Sequence, residues 1–310
     1  MGSPYFAVPS LERLVLNGCG VVAVYTQPDK PAGRGRALVS PPVKEAARRL
    51  GLPVVQPENL KTEESFEILA ALKPDVIVVA AFGQILPPTV LEMPGYGCLN
   101  VHASLLPRHR GASPVAAVLL AGDRFTGVSI MLMEKRLDAG PVLARAAIPV
   151  SLRDNAGSLT EKLSLVGASL LLEALNGWIR RETVPRPQNE AEATYCVSVR
   201  REDGNIDWGQ PVLDIWRRVR AYNPWPGCYT AWRGRQLKIL EAVPVAVEGL
   251  SPGGAAGRVV ALHRGDAAFG VCAGDGVLGV LRIQLEGKKA MAAAEFLRGQ
   301  PAFIGAVLPC

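Results

Sequence analysis

CLNVHASLLPRHRGASP, residues 98–114, begins as a short apolar strand and ends as an irregular cationic segment that leads into the next helix. Strand alternation puts Asn100 and His102 on one face, a single step apart, so an amide and an imidazole can converge on one reacting group. In an open parallel α/β sheet, ligands bind and chemistry is placed at the C-terminal ends of the strands, and both side chains stand at such an end. Ser104-Leu105-Leu106-Pro107 follows as a rigid, partly apolar turn, and then come Arg108, His109, Arg110 and Gly111. Asn-x-His alone is a weak signal, because a capped strand end beside a surface histidine has the same spelling. The length of the string gives it weight.

Outward from this stretch the chain alternates helical and continuously apolar segments. Helices are expected over 10–17, 43–50, 62–72 with Thr62 as the cap, 115–120 and 158–176. Strands are expected over 21–26, 53–55, 76–81, 98–101, 126–133 and 142–148. Apolar strands alternating with helices predict an α/β, Rossmann-like parallel sheet covered on both faces. Residues 183–205 dissolve into prolines and charges and read as a linker. From residue 206 short strands separated by glycine turns follow, at 228–232, 236–242, 258–261, 269–273 and 276–284. That pattern suits a small OB-like β-barrel, a fold often used on nucleic acids. The expected organisation is therefore an α/β domain over 1–182, a linker, and a barrel over 206–310 in which Trp225, between two prolines, is packed core.

With 310 residues, about half of them apolar, the chain can bury two cores. No apolar run reaches bilayer-spanning length and the N-terminus lacks a signal-peptide pattern, so a soluble, cytoplasmic protein is expected. The six cysteines are scattered without CxxC pairs, and His102, His109 and His263 are ungrouped; neither a disulfide framework nor a metal site is expected. The net charge of +6 is uneven, since residues 207–310 hold 12 Lys and Arg against 8 Asp and Glu. Such an excess fits a polyanionic partner and equally a solvated surface.

Residues 27–42, QPDKPAGRGRALVSPP, carry four prolines, two glycines, and Lys30, Arg34 and Arg36 against Asp29 alone. A structureless loop of that length inside a compact domain is usually functional. It is not a dinucleotide fingerprint, because Leu38 stands where the third glycine belongs. Serine-hydrolase chemistry has its three residue types in Ser104, His102 and Asp138, but no G-x-S-x-G elbow is present.

LNVHASLLPRHRGASP, with Leu137-Asp138-Ala139-Gly140 further on, resembles the signature of the folate-dependent formyltransferases. The similarity covers essentially the whole chain, from Gly2 through RRVRAYNPWP at 217–226 to the Gly287-Lys288-Lys289-Ala290-Met291 run. The resemblance implies Asn100, His102 and Asp138 as the catalytic set and Ser104, Leu105, Leu106 and Pro107 as the lining of the folate site. It also implies 10-formyltetrahydrofolate as formyl donor, without a metal. The family's L-D-T-G motif has lost its threonine hydroxyl here, at Ala139. Residues 27–42 resemble the inserted loop by which the members acting on initiator methionyl-tRNA grip its acceptor end. Lys30, Arg34 and Arg36 are then expected tRNA contacts, and a monomeric enzyme of translation initiation is the expected protein. The alternatives are a sugar-nucleotide formyltransferase, which shares the Asn-His-Asp set, and a catalytically inactive RNA-binding relative.

In that family the turn at 2–6 follows a first β-strand, whereas this sequence opens at the turn. The strands at 21–26 and 76–81, which would flank it, must then stand roughly 9 to 10 Å apart, twice the usual spacing, or collapse into a new pairing. A reading frame that opens upstream of Met1 and adds about five to seven apolar residues is the expectation.

Overall fold

Four strands make the main sheet of the first of two compact units, which comprises residues 1–114, 124–150 and 159–197. The structure, a computed structural model, describes residues 1–32, 37–245, 255–263 and 265–309. Ile77–Val79, Cys98–His102, Phe125–Leu132 and Val142–Pro149 lie side by side in that order. The first pair is parallel, as expected, and the other two are antiparallel. The last two strands form a hairpin because the few residues between them leave no room for a crossover helix. Helix Ala156–Ile179 crosses the sheet at Gly167, where a Cβ would stand 3.0 Å from Val101 Cγ1 and 3.4 Å from Val128 Cγ1. Leu159, Leu163 and Leu171 of this helix are fully buried, and Trp178 Nε1 donates to the Tyr96 carbonyl at 2.8 Å. The central strand is thus held rigidly beneath the residues that follow it.

Helices Val8–Leu16, Pro42–Arg49 and Glu63–Ala71 fall within two residues of their expected bounds. Thr62 caps the last of them by accepting from the Ser65 N–H at 3.3 Å, a contact that contributes about 1 kcal/mol. Among the described residues no helix is long and apolar enough to cross a membrane.

Val24–Tyr25 pairs in parallel with Val54–Val55 and makes no ladder with Ile77–Val79. Of the two expected outcomes, the sheet takes the open one. Met1, Gly2 and Ser3 bridge the gap: the Met1 amine donates to Val78 O at 2.6 Å, Ala80 N to Met1 O at 2.9 Å, Gly2 N to Tyr25 O at 2.9 Å, and Ser3 Oγ accepts from Gln27 N at 3.1 Å and donates to Phe82 O at 3.1 Å. A cavity of about 200 Å³ lies between the walls, lined among others by Leu11, Leu14, Val22, Val24, Leu69 and Ile77. Burial pulls the Met1 ammonium down from 8.0 to about 5. Ser10 Oγ and Tyr25 Oη, which also border the cavity, are buried without a hydrogen-bond partner.

Residues 27–42, expected as a structureless loop, contain a hairpin stem instead, Lys30–Ala32 antiparallel to Ala37–Val39. Its root is pinned at Asp29, which accepts from Lys44 Nζ at 2.7 and 2.8 Å, Gln56 Nε2 at 2.9 Å and Ser40 Oγ at 3.3 Å. These donors, Gln56 first, hold the Asp29 carboxyl below the usual carboxylate range.

The second unit takes in residues 115–123, 151–158 and 198–310. Its strands Cys228–Trp232, Arg235–Val245, Val277–Leu285, Phe269–Cys272 and Val259–Ala261 pair antiparallel in that order, with Met291–Ala292 added to Val277–Leu285. This is a curled antiparallel sheet, a half-barrel among the described residues, in keeping with the small OB-like β-barrel domain expected. Trp232, Phe296, Phe303 and Phe269 pack edge to face beneath it, with centroids 5.0 to 5.7 Å apart. Trp225 is 61% exposed, against the expectation of packed core. It sits in the turn between helix Val212–Ala221 and strand Cys228–Trp232, while Trp208 and Trp232 fill the interior.

The stretch read as a linker is ordered along most of its length. Arg186 and Val142 exchange two backbone hydrogen bonds at 2.8 and 2.9 Å, and Tyr195–Cys196 runs parallel to Arg110–Gly111. An extended segment that lies on a protein surface must satisfy its N–H and C=O groups, and this one does so in part through these pairings and through Thr194 N, which donates to Pro107 O at 3.3 Å.

Candidate active site

His102 ends the central strand and Asn100 lies two residues before it, while Asp138 comes from the loop after Phe125–Leu132. The three converge as expected. Asp138 Oδ1 accepts from Asn100 Nδ2 at 3.4 Å, and Oδ2 lies 3.7 Å from His102 Nδ1 and accepts from the Gly111 N–H at 2.8 Å. Two backbone features aim that carboxylate. Asp138 itself is left-handed, with φ +48°, and Gly140 passes so close to Leu132 that a Cβ would stand 1.9 Å from its carbonyl oxygen.

His102 Nε2 lies 2.9 Å from the His109 carbonyl, which can only accept. Asp138 Oδ2 at 3.7 Å from Nδ1 is an acceptor too, so both ring nitrogens face acceptors; the shorter contact favours the proton of the neutral ring on Nε2, which leaves Nδ1 as the basic nitrogen facing Asp138. His109 turns that carbonyl inward through a left-handed φ of +58°. An amide donor, a basic nitrogen and a carboxylate gathered this way can bind an oxygen, accept a proton and stabilise the resulting cation.

The Ser104–Pro107 turn is built mostly inward. Ser104 Oγ donates to the Arg108 carbonyl at 2.6 Å, and Ser129 Oγ donates to Ser104 O at 2.8 Å while it accepts from Leu106 N at 3.0 Å. Leu106 packs on Met131 and Val142 in the core, Ser104 and Pro107 are also buried, and only Leu105 keeps its side chain partly open. Lys30 is exposed, and its Nζ donates to Gln27 Oε1 at 2.6 Å. Arg34 and Arg36 lie outside the described residues.

Sequence reasoning missed a second group of residues next to this site. Arg110, read as part of an irregular cationic segment, is fully buried. Its guanidinium donates to Gln188 Oε1 at 2.9 and 3.1 Å, to the two Glu190 oxygens at 2.9 and 3.0 Å, and to Tyr195 Oη at 3.0 Å. All five N–H donors are used, so none is left for a substrate anion. The guanidinium also holds the Glu190 carboxyl below the ordinary carboxylate range. No local signal in the sequence marks its partners Gln188, Glu190 and Tyr195, which stand in a stretch that reads as linker. No group of His, Cys, Asp and Glu among the described residues is arranged to hold a metal ion.

Comparison with known proteins places this geometry in context. The formyl transferase family matches residues 2–175, and the formyl transferase C-terminal domain matches residues 198–301. A methionyl-tRNA formyltransferase of Dehalococcoides mccartyi is 50% identical over 308 residues, spanning 98% of this chain and 96% of that protein. One from a Roseiflexus species is 47% identical over 302 residues, 96% of this chain and 91% of its own. Among solved structures, the sugar 3N-formyl transferase WlaRD, crystallised in the presence of dTDP and 5-N-formyl-THF, shares the fold with a TM-score of 0.63. It is 17% identical and the match covers 93% of this chain and 97% of that one. With two domain matches end to end and near-full-length relatives at about half identity, the chain belongs to the formyltransferase family, on its methionyl-tRNA formyltransferase branch.

Proposed function

We propose that this chain transfers the formyl group of 10-formyltetrahydrofolate to the amino group of methionyl initiator tRNA, in the cytoplasm and for translation initiation. The observation that carries the reading is the 50% identity, over 98% of the chain, to a protein named for that activity. The folate supplies the formyl group on a nitrogen that leaves as an amine. Asn100 donates its amide N–H to the formyl oxygen as negative charge develops there. His102 takes the proton of the attacking nitrogen on Nδ1, while its Nε2–H stays on the His109 carbonyl. Asp138, 3.7 Å from Nδ1, stabilises the imidazolium that results. Leu105 supplies the side-chain wall of the folate site, and the buried Ser104, Leu106 and Pro107 hold its main chain in place. Lys30, Arg34 and Arg36 engage phosphates of the acceptor end, which positions the tRNA without reading bases. The enzyme acts as a monomer and without a metal.

The test offers three acceptors in parallel, each with 10-formyltetrahydrofolate: initiator tRNA charged with methionine, uncharged tRNA, and a dTDP-linked amino sugar. Formylmethionyl-tRNA is the expected product. Formylation of the sugar alone would make the chain a sugar-nucleotide enzyme, and tRNA binding without transfer would make it an inactive RNA-binding relative.

A further inference from the structure

Gln188 uses every hydrogen-bonding valence of its side chain. Oε1 accepts two bonds from Arg110, at 2.9 and 3.1 Å, and Nε2 donates to the carbonyls of Asp138 at 2.8 Å and Gly140 at 2.7 Å. The amide can stand only this way round, since a flip would set N–H against guanidinium N–H and oxygen against two carbonyls. The two carbonyls it grips flank Ala139 in the left-handed turn that carries the Asp138 carboxylate. Arg110 in turn is fixed by Glu190 and Tyr195. The same segment also holds the other side of the site: Thr194 Oγ1 accepts from His109 N at 2.8 Å, and Thr194 O accepts from Arg110 N at 2.8 Å. These contacts set the backbone that presents Gly111 N to Asp138 Oδ2.

We infer that Gln188, clamped by Arg110, is a positioning residue that fixes the Asp138 turn and through it the distance from the Asp138 carboxylate to His102 and Asn100. The inference rests on the formyl-transfer reading above. Gln188 touches no reacting atom; it acts on the backbone of a residue that does. The carboxylate makes its three contacts within 3.7 Å, so a shift of about 1 Å in the turn breaks at least one of them, and a displacement of that size costs up to about a hundredfold in rate. Substrate affinity has no reason to change, because neither Gln188 nor Arg110 has a donor left to offer.

The experiment measures kcat and KM for charged tRNA and for the formyl donor, with thermal melts, on the full chain. Gln188→Glu keeps the acceptor for Arg110 and removes both donors to the turn. It is expected to lower kcat about ten- to a hundredfold with both KM values within twofold, and to add no further loss to Asp138→Asn, because the two act as a unit. Loss factors that multiply in the double variant, or a folded Gln188→Glu enzyme with kcat within twofold of the parent, would overturn the inference. Should Gln188→Glu not fold, the half-exposed Glu190→Gln loosens Arg110 from outside the turn and is expected to lower kcat severalfold in the same pattern. Unchanged kcat there overturns it equally. A parent enzyme that transfers no formyl group strikes the proposed function instead, so the two failures are distinct.

Discussion

The first unit contains two neighbourhoods built to opposite standards. Around Arg110 and Gln188, five guanidinium donors and all four amide valences meet partners at hydrogen-bond distance. Between Val24–Tyr25 and Ile77–Val79, a cavity of about 200 Å³ separates strands that share no ladder, and Ser10 Oγ and Tyr25 Oη are left without partners. Each buried unsatisfied group costs about 1 to 3 kcal/mol, so the second neighbourhood drains stability where the first conserves it. The difference is one of position: polar groups are matched closely beside the Asp138 carboxylate, and the unpaired ones border the cavity.

The sharpest way to break the well-satisfied side is at its reacting atoms. His102→Ala is expected to lower kcat about a thousandfold, within the range for loss of a general base, with KM for charged tRNA within twofold. Equal loss of turnover and tRNA affinity would instead assign His102 a structural role.

The open side is tested through pH. The Met1 amine is neutral in the fold down to about pH 5 but protonated in the unfolded chain below 8.0. Between those values the unfolded state binds the extra proton, so stability rises with pH. The gain is about 4 kcal/mol from pH 5 to 8, with no further change from this group above 8. Five apolar residues fused ahead of Met1 would replace the titrating amine with a peptide N–H that can still donate to Val78 O, and would place side chains in the cavity. Urea midpoints should rise and the slope over pH 5 to 8 should flatten. A fused chain with the parent's slope would mean that the gap does not accept a strand.

Arg110→Met comes next in size. It leaves the Gln188 amide oxygen without its donors, while the more than half-exposed Glu190 and Tyr195 can turn to water, and a loss on the order of 1 to 3 kcal/mol is expected in urea unfolding. A variant within about 0.5 kcal/mol of the parent, the scatter of ordinary surface changes, would show that the guanidinium network adds little.

What was legible in the sequence follows the range of the signal. Helix and strand positions, the Thr62 cap and the Asn100, His102 and Asp138 set come from local periodicity or from one contiguous motif with its later partner. Strand direction did not: an apolar run such as Thr126 to Met133 has no mark that tells parallel from antiparallel, and the hairpin with Val142–Pro149 shows only in the pairing. Gln188 was invisible because its partners lie 48 to 78 residues away and its neighbours are prolines and charges. Trp225 was misread because residue type argued for burial while position, in a turn between two prolines, set it in solvent. The stem at Lys30–Ala32 was hidden by Pro31, a residue tolerated in strands mainly at edges, and this two-stranded ribbon is edge on both sides.

That ribbon is neither over-satisfied nor open, and the smallest effect is expected there. Lys30 is exposed and its one hydrogen bond, to Gln27, is local, so Lys30→Ala should leave thermal stability unchanged. Its proposed role is a single phosphate contact. Removing one such contact weakens tRNA binding about threefold, seen as a higher KM for tRNA at constant kcat, and lowers the slope of log affinity against log salt by about 0.9. Arg34→Ala and Arg36→Ala should each do the same, and the three losses should combine in proportion to the charges removed, since separate counterions are released at separate phosphates. The salt slope separates this account from a fold effect, because a hairpin displaced by mutation would change affinity without removing one unit of slope per charge. A triple variant whose KM and salt slope match the parent would take the loop off the tRNA path, while the Asn100, His102 and Asp138 site would stand unaffected.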